Sequence, residues 1–335
     1  MNLRSIPRNS VIVLAVLPIF MAVQPQHTIL VDEPILRLGT EESGKLFSRI
    51  ADFGWSDSGN FYVLDNRECS VSIFDSSGQF VAAFGKNGAG PGEFGRPFEL
   101  QVIDESVFVL DVQLGRLSEF SLNGDFRTSI RLDYSPNDFV VTTDDIYYIT
   151  NTFENMLYRI PRDSLNHSEL ILKSTDVIEL QSNDNQLLRL ATRVRLIGDE
   201  LVISIPGYIK LIFVSFDGQF RVVEPKCKEL DAFVRYYIRT RRDWRTGGVI
   251  GSYPQTIRSF TSWTDGNLLM DVWMGEEQST SLKSKAVIID ILTGEDTGYS
   301  IGSEQTRYAD FRPVPGNRLC AYNIDEATLD FFLIH

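Results

Sequence analysis

An all-β chain folded as a ring of six similar sheets is what this sequence predicts, and three observations carry the prediction. Short runs rich in Val, Ile, Phe and Tyr, apolar throughout or alternating with polar residues, read as strands. Gly-containing turns separate them. The strand and turn pattern recurs six times over 335 residues, at the spacing of about 40–50 residues that marks blades of a propeller. A single blade cannot bury both faces of its sheet, whereas a closed ring buries each face against a neighbour. The predicted fold is a six-bladed β-propeller over residues 28–335, with a short helical insertion (residues 226–254) between blades four and five.

The elements follow in chain order. Arg4 and Arg8 precede an apolar run, Val11 to Val23, that is too short for a membrane span of about 20 residues and has the flank of a secretory signal. Residues 1–24 are therefore read as a signal peptide, with a retained anchor as the alternative, and the protein as periplasmic or extracellular. No transmembrane span is expected in the mature chain. Thr28 to Leu38 is strand-like and belongs to no complete repeat, so it is expected to add the outer strand of the last blade and close the ring. The first repeat runs through Phe61–Asp65, Val71–Phe74, the Ser77–Gly78 turn and Phe80–Phe84. Val107–Asp111, Leu117–Phe120 and Asn123–Phe126 answer it in the second. Later repeats centre on Ile146–Thr150, Leu201–Ser204, Asn267–Asp271 and Arg318–Ala321.

Composition excludes several functions. Lys+Arg 32 against Asp+Glu 45 gives a net charge of −13, which argues against nucleic-acid binding, because neutralising phosphates needs a basic footprint. Cys69, Cys227 and Cys320 have no metal-clip spacing and read as buried thiols, with one disulfide as the alternative for an exported chain. His27, His167 and His335 are too scattered for a His-ligated zinc site. The Gly-rich run Gly85–Gly95 is followed by a strand rather than a helix, so it reads as a turn and not as a phosphate cradle.

That run, Phe84-Gly85-Lys86-Asn87-Gly88-Ala89-Gly90-Pro91-Gly92-Glu93-Phe94-Gly95-Arg96-Pro97, resembles the blade junction of NHL-repeat propellers, and Asp57 to Phe74 resembles the rest of the same repeat. The match is specific in the first two blades and weakens in the other four. The whole chain resembles bacterial secreted six-bladed propellers. The resemblance implies fold and export. Some NHL-type propellers are lyases that use several His ligands for zinc. A lactonase- or lyase-like propeller enzyme using Ca²⁺ held by Asp, Asn and Glu in the channel needs no His ligand and is the alternative function.

The segment that breaks the repeat carries the first site expectation. In Glu229 to Trp244, Leu230, Phe233, Val234, Tyr237 and Ile238 have the spacing of an amphipathic helix, and Arg residues gather around them. Arg239, Arg242, Trp244 and Arg245, with Asn66 and Arg67 of the first blade, are the candidate ligand residues on the top face, where the blade-to-blade connections run. Guanidinium forks suit carboxylate or phosphate. The competing reading is a surface helix whose arginines pair with the protein's own acids. No metal or cofactor is expected, although Asp65 and Asp111 are weak oxygen-ligand candidates for Ca²⁺. The expected function is an exported, non-catalytic module that binds a protein, peptide or glycan on that face.

Overall fold

A computed structural model describes residues 27–150, 155–165, 167–177, 192–205, 208–228, 230, 257–264, 266–272 and 284–334. Strands β1 (His27–Leu30) and β2 (Leu36–Leu38) precede the first blade. Blade one is β3 (Ile50–Trp55), β4 (Phe61–Asp65), β5 (Ser70–Phe74) and β6 (Phe80–Phe84). Blade two is β7 (Pro97–Ile103), β8 (Ser106–Asp111), β9 (Arg116–Ser121) and β10 (Phe126–Arg131). Blade three is β11 (Pro136–Val141), β12 (Asp145–Thr150), β13 (Asn155–Pro161) and β14 (Glu169–Lys173), followed by the single turn α1 (Ser174–Val177). Blade four is β15 (Arg193–Ile197), β16 (Glu200–Ile205), β17 (Tyr208–Val214) and β18 (Phe220–Val223). Blade five is β19 (Ile257–Thr264), β20 (Asn267–Val272), β21 (Ser284–Asp290) and β22 (Asp296–Ser303), and blade six is β23 (Tyr308–Val314), β24 (Arg318–Asn323) and β25 (Thr328–Leu333).

Each blade is an antiparallel meander with strands in sequence order. The first strands, β3, β7, β11, β15, β19 and β23, pack on one another around the centre. Six apolar clusters fill the six seams between blades. In blade one, Tyr62 and Leu64 of β4 face blade two, where they meet Leu100, Val107 and Val109. Phe61 and Val63 of the same strand face blade six, where they meet Leu329 and Phe331. Second strands are thus buried on both faces, which is why they read as continuous apolar runs.

The N-terminal stretch divides between two blades. Leu36–Leu38 of β2 pairs antiparallel with β25 and forms the outer strand of blade six, so both ends of the chain meet in one sheet. His27–Leu30 of β1 instead pairs in parallel with β22 as a fifth strand on blade five. The expectation of one continuous strand over Thr28 to Leu38 is corrected in that respect. Asp32 marks the break, because its carboxylate accepts hydrogen bonds from the Ser303 hydroxyl and the Gln305 N–H.

Helix is confined, among the described residues, to α1 after blade three and to the backbone at Lys228 and Leu230. Leu230 is buried with Cys227 in the seam between blades four and five. The rest of the expected insertion lies outside the described residues. No helix among those described is long and apolar enough to cross a membrane. Cys69, Cys227 and Cys320 are buried thiols, not joined by a disulfide. Burial raises the Cys320 thiol well above its ordinary value.

The junction between blades one and two shows what the Gly-rich run does. Phe94 is fully buried against Phe120, with ring centroids 5.6 Å apart. Gly85 has φ +82°, and a Cβ there would lie 2.3 Å from the Phe94 ring. The Arg116 guanidinium donates to the carbonyls of Ala89, Gly90 and Glu93 at 2.6–3.1 Å. The loop leads directly into β7, so its N–H groups serve the fold and no helix end is available for a phosphate. Gly85→Ala combines left-handed backbone with a clash against a ring that has no room to move. It should cost about 1–3 kcal/mol, read as a lower urea midpoint at unchanged slope.

Candidate functional site: charges in the central channel

The channel-lining strands begin with a repeated irregularity. Register shifts by one residue just before Asp52 in β3, Glu99 in β7, Asp138 in β11 and Ser259 in β19, and again before Arg312 in β23. A bulge turns the next side chain away from the regular alternation. β15 pairs without a shift and supplies Arg193 and Arg195. These positions lie close to the face on which the chain enters each blade.

The charged side chains among them join into a buried polar network. Asp52 accepts the N–H of its own neighbour Phe53 at 2.8 Å and that of Leu100 in the next blade at 2.7 Å. Asp138 repeats the arrangement with Phe139 at 2.8 Å and Val194 at 2.9 Å. Asp271 of β20 accepts the N–H of Asp310 in blade six at 3.1 Å. Arg312 donates to Asp310 at 3.0 Å and to Asp52 at 2.6 Å, and bonds the carbonyl of Phe53. Arg195 meets Asp138 at 2.8 Å and Glu99 at 3.5 Å, while Arg193 pairs with Glu99. Glu99 belongs to blade two and both arginines to blade four, so these ion pairs pass blade three and bridge the channel.

Burial sets the electrostatics. It pushes Asp138 up to about 6, against the attraction of Arg195 and two backbone N–H groups, and the negative charge of Asp52 adds to the rise. Burial and the neighbouring charge of Arg195 lower Arg193 to about 10. Burial alone would lower Arg312, but Asp310 and Asp52 outweigh it and hold the guanidinium well above its ordinary value. Arg312 also lies 4.2 Å above the centre of the Phe53 ring, and Arg193 lies 5.2 Å above that of Phe98. The set offers fixed charge of both signs, with each acid already engaged by a donor.

Those of the expected residues that are described fall elsewhere. Asp65 ends β4, and its oxygens accept the N–H groups of Ser48, Arg49, Arg67 and Glu68 at 2.6–3.1 Å. Asp111 does the same at the end of β8, for Gly95, Arg96, Gln113 and Leu114 at 2.6–3.2 Å. Each carboxylate clasps a blade junction to the adjacent turn, so the oxygens offered as Ca²⁺ ligands are spent on the backbone. Asn66 and Arg67 sit in the same turn of blade one, Arg67 exposed, one strand out from the channel lining. Arg239, Arg242, Trp244 and Arg245 lie outside the described residues. His27 stacks on Tyr299 at the edge of blade five, and His167 is exposed near β14, both away from the channel. Among the described residues no His, Cys, Asp and Glu gather into a metal-binding group.

Sequence reasoning missed the channel residues. Their signal is a charge set among apolar residues at the head of a blade's first strand, as in Phe98-Glu99-Leu100 and Asn137-Asp138-Phe139.

Fold and channel together define a closed six-bladed propeller with a polar, internally paired centre. The chain belongs to the DUF5128 family of 6-bladed beta-propellers, whose model matches residues 30–206. Among solved structures it is similar to a DUF4221-family protein of Bacteroides vulgatus, at 12% identity over 90% of this chain and 96% of that one, with a TM-score of 0.59. It is also similar to BF0058 of Bacteroides fragilis, a protein proposed to be exported (12% identity, 87% and 86% covered, TM-score 0.57). Virginiamycin B lyase of Staphylococcus aureus shares the fold as well (12% identity, 90% and 87% covered, TM-score 0.51). Likeness at these identities establishes architecture alone. No curated protein matches the chain by sequence.

Asp138 gives the channel a pH dependence of definite sign. Between the ordinary carboxylate value near 4 and about 6, the folded chain holds a proton there that the unfolded chain has released. Its contribution to stability therefore rises as pH falls through about 6 and levels off below about 4. Asp138→Asn removes this slope. In urea titrations the stability of the wild type relative to the variant should grow from pH 7 to pH 4.5.

Proposed function

We propose that the protein is an exported propeller that binds an anionic ligand or partner at the channel mouth, on the face of the blade junctions, without chemical turnover. The observation that supports this most is the engagement of the channel acids. Asp52 and Asp138 each accept two backbone N–H groups as well as a guanidinium, and Glu99 pairs with two arginines. A general acid or base must exchange its proton with a substrate. Asp138, whose carboxyl burial pushes up to about 6, is committed to two backbone N–H groups and to Arg195. Fixed charge suits recognition.

Export is supported by the apolar run Val11–Val23 behind Arg4 and Arg8. The anionic character of the ligand is supported by the arginines around Trp244 in the sequence between blades four and five. The second reading, a Ca²⁺-dependent hydrolytic or lyase-like enzyme, rests on the channel carboxylates. They would have to release N–H and guanidinium partners before taking a cation.

A thermal-shift panel of carboxylated and phosphorylated compounds tests the proposal. A true ligand raises the melting temperature by mass action, and the full chain should leave it chemically unchanged. Arg242→Ala combined with Arg245→Ala should weaken binding at least tenfold. Unchanged affinity in that variant would remove the insertion from the site, and turnover of the ligand would refute the non-catalytic reading.

A further inference from the structure

A second surface stands apart from the channel and does not depend on the reading above. The connection between β10 and β11 carries two successive non-glycine residues in the left-handed region, Tyr134 at φ +59° and Ser135 at φ +53°. A tyrosine is an unfavourable choice there, since glycine would meet the same backbone demand without strain. Strain of this kind persists where the rest of the structure, or a function, requires the side chain.

The side chain in question caps a stack. Tyr134 lies on Tyr158 with centroids 5.2 Å apart and planes 16° from parallel. Tyr158 lies on Tyr148 at 5.2 Å and 12°. Exposure climbs along the stack from 0% at Tyr148 through 4% at Tyr158 to 54% at Tyr134. The column therefore runs from the core to the surface and holds its outermost ring flat against a rigid base. Burial raises the phenols below it, Tyr148 to about 12, so they stay neutral at physiological pH. Beside the column, exposed Asp133 is oriented by the hydroxyl of Ser168 at 3.2 Å.

We infer that Tyr134 is a carbohydrate-binding platform, on which a pyranose ring lays its C–H face while Asp133 accepts hydrogen bonds from its hydroxyl groups. An exposed aromatic ring held on a stack, with a carboxylate acceptor on the preceding residue, fits a neutral sugar. The ring loses little freedom on binding because the stack already fixes it.

Affinity electrophoresis of the full chain, in gels containing β-glucan, xylan, mannan or starch, tests this. At least one polysaccharide should retard the protein. Tyr134→Phe should keep the retardation. Tyr134→Gly should weaken it at least tenfold while melting at or above the wild-type temperature, because glycine relieves the left-handed backbone. Asp133→Asn, which leaves the stack untouched, should also weaken it. Absence of retardation in all four gels would overturn the proposal, as would retardation unchanged in Tyr134→Gly. Retardation by poly-lysine alone, lost in Tyr134→Gly, would overturn it too and assign the ring to a cationic chain.

Discussion

The structure depends on how charge is held at its centre. A propeller brings six first strands together around an axis, and side chains that point there are removed from most of the solvent. Apolar side chains could fill the space, but this chain places acids and arginines in it. Removing an ion from water costs several kcal/mol even after relaxation, and the cost is met only when each charge finds a partner with good geometry. Here the partners come from other blades. Asp52 reaches Leu100, Asp138 reaches Val194, Arg312 reaches Asp52, and Glu99 reaches across to Arg193 and Arg195. Neutral groups extend the stitching, as where the Gln101 amide exchanges two hydrogen bonds with the backbone of Val141. The network therefore records the order and spacing of the blades.

Apolar seams supply the bulk stabilisation around this centre, and the closing strand makes the seams possible. Each cluster lies between two sheets, so a ring opened at one seam would expose the facing sides of two blades. β2 prevents this by pairing with β25, which joins the two ends of the chain in blade six. Asp65, Asp111 and Asn323 add local grips where a second strand meets its turn. Asn323 caps the N–H groups of Asp325 and Glu326 much as Asp65 caps Arg67 and Glu68.

Much of the architecture was legible because strand alternation and Gly turns are local properties. Phe61–Asp65 and Val107–Asp111 show their equivalence in sequence, since each must bury both faces and end in the same carboxylate cap. The junction motif around Phe94 was legible for the same reason: Gly85 and the ring it faces lie close in the chain. The division of the N-terminal stretch was not, because it turns on a tertiary bond between Asp32 and Ser303 of blade five. The channel was not legible either. Arg195 and Glu99 are far apart in sequence, and each looks like an ordinary charge on a strand until the ring closes. Asp65 shows the converse: a carboxylate at a strand end suggested a cation ligand, yet backbone N–H groups take both its oxygens.

The proposed binding role rests on this economy of charge, since a centre whose described acids are engaged recognises more readily than it reacts. The claim beneath it is that the channel charges are one mutually satisfied set. A double-mutant cycle on Asp52 and Arg312 measures that directly, with Asp52→Asn, Arg312→Met and the pair compared by urea unfolding. If the charges satisfy each other, Arg312→Met alone costs about 3–5 kcal/mol because it strands buried carboxylates. The double variant should then cost less than the sum of the single changes by about 0.5–3 kcal/mol. Simple additivity of the two single costs would contradict the account.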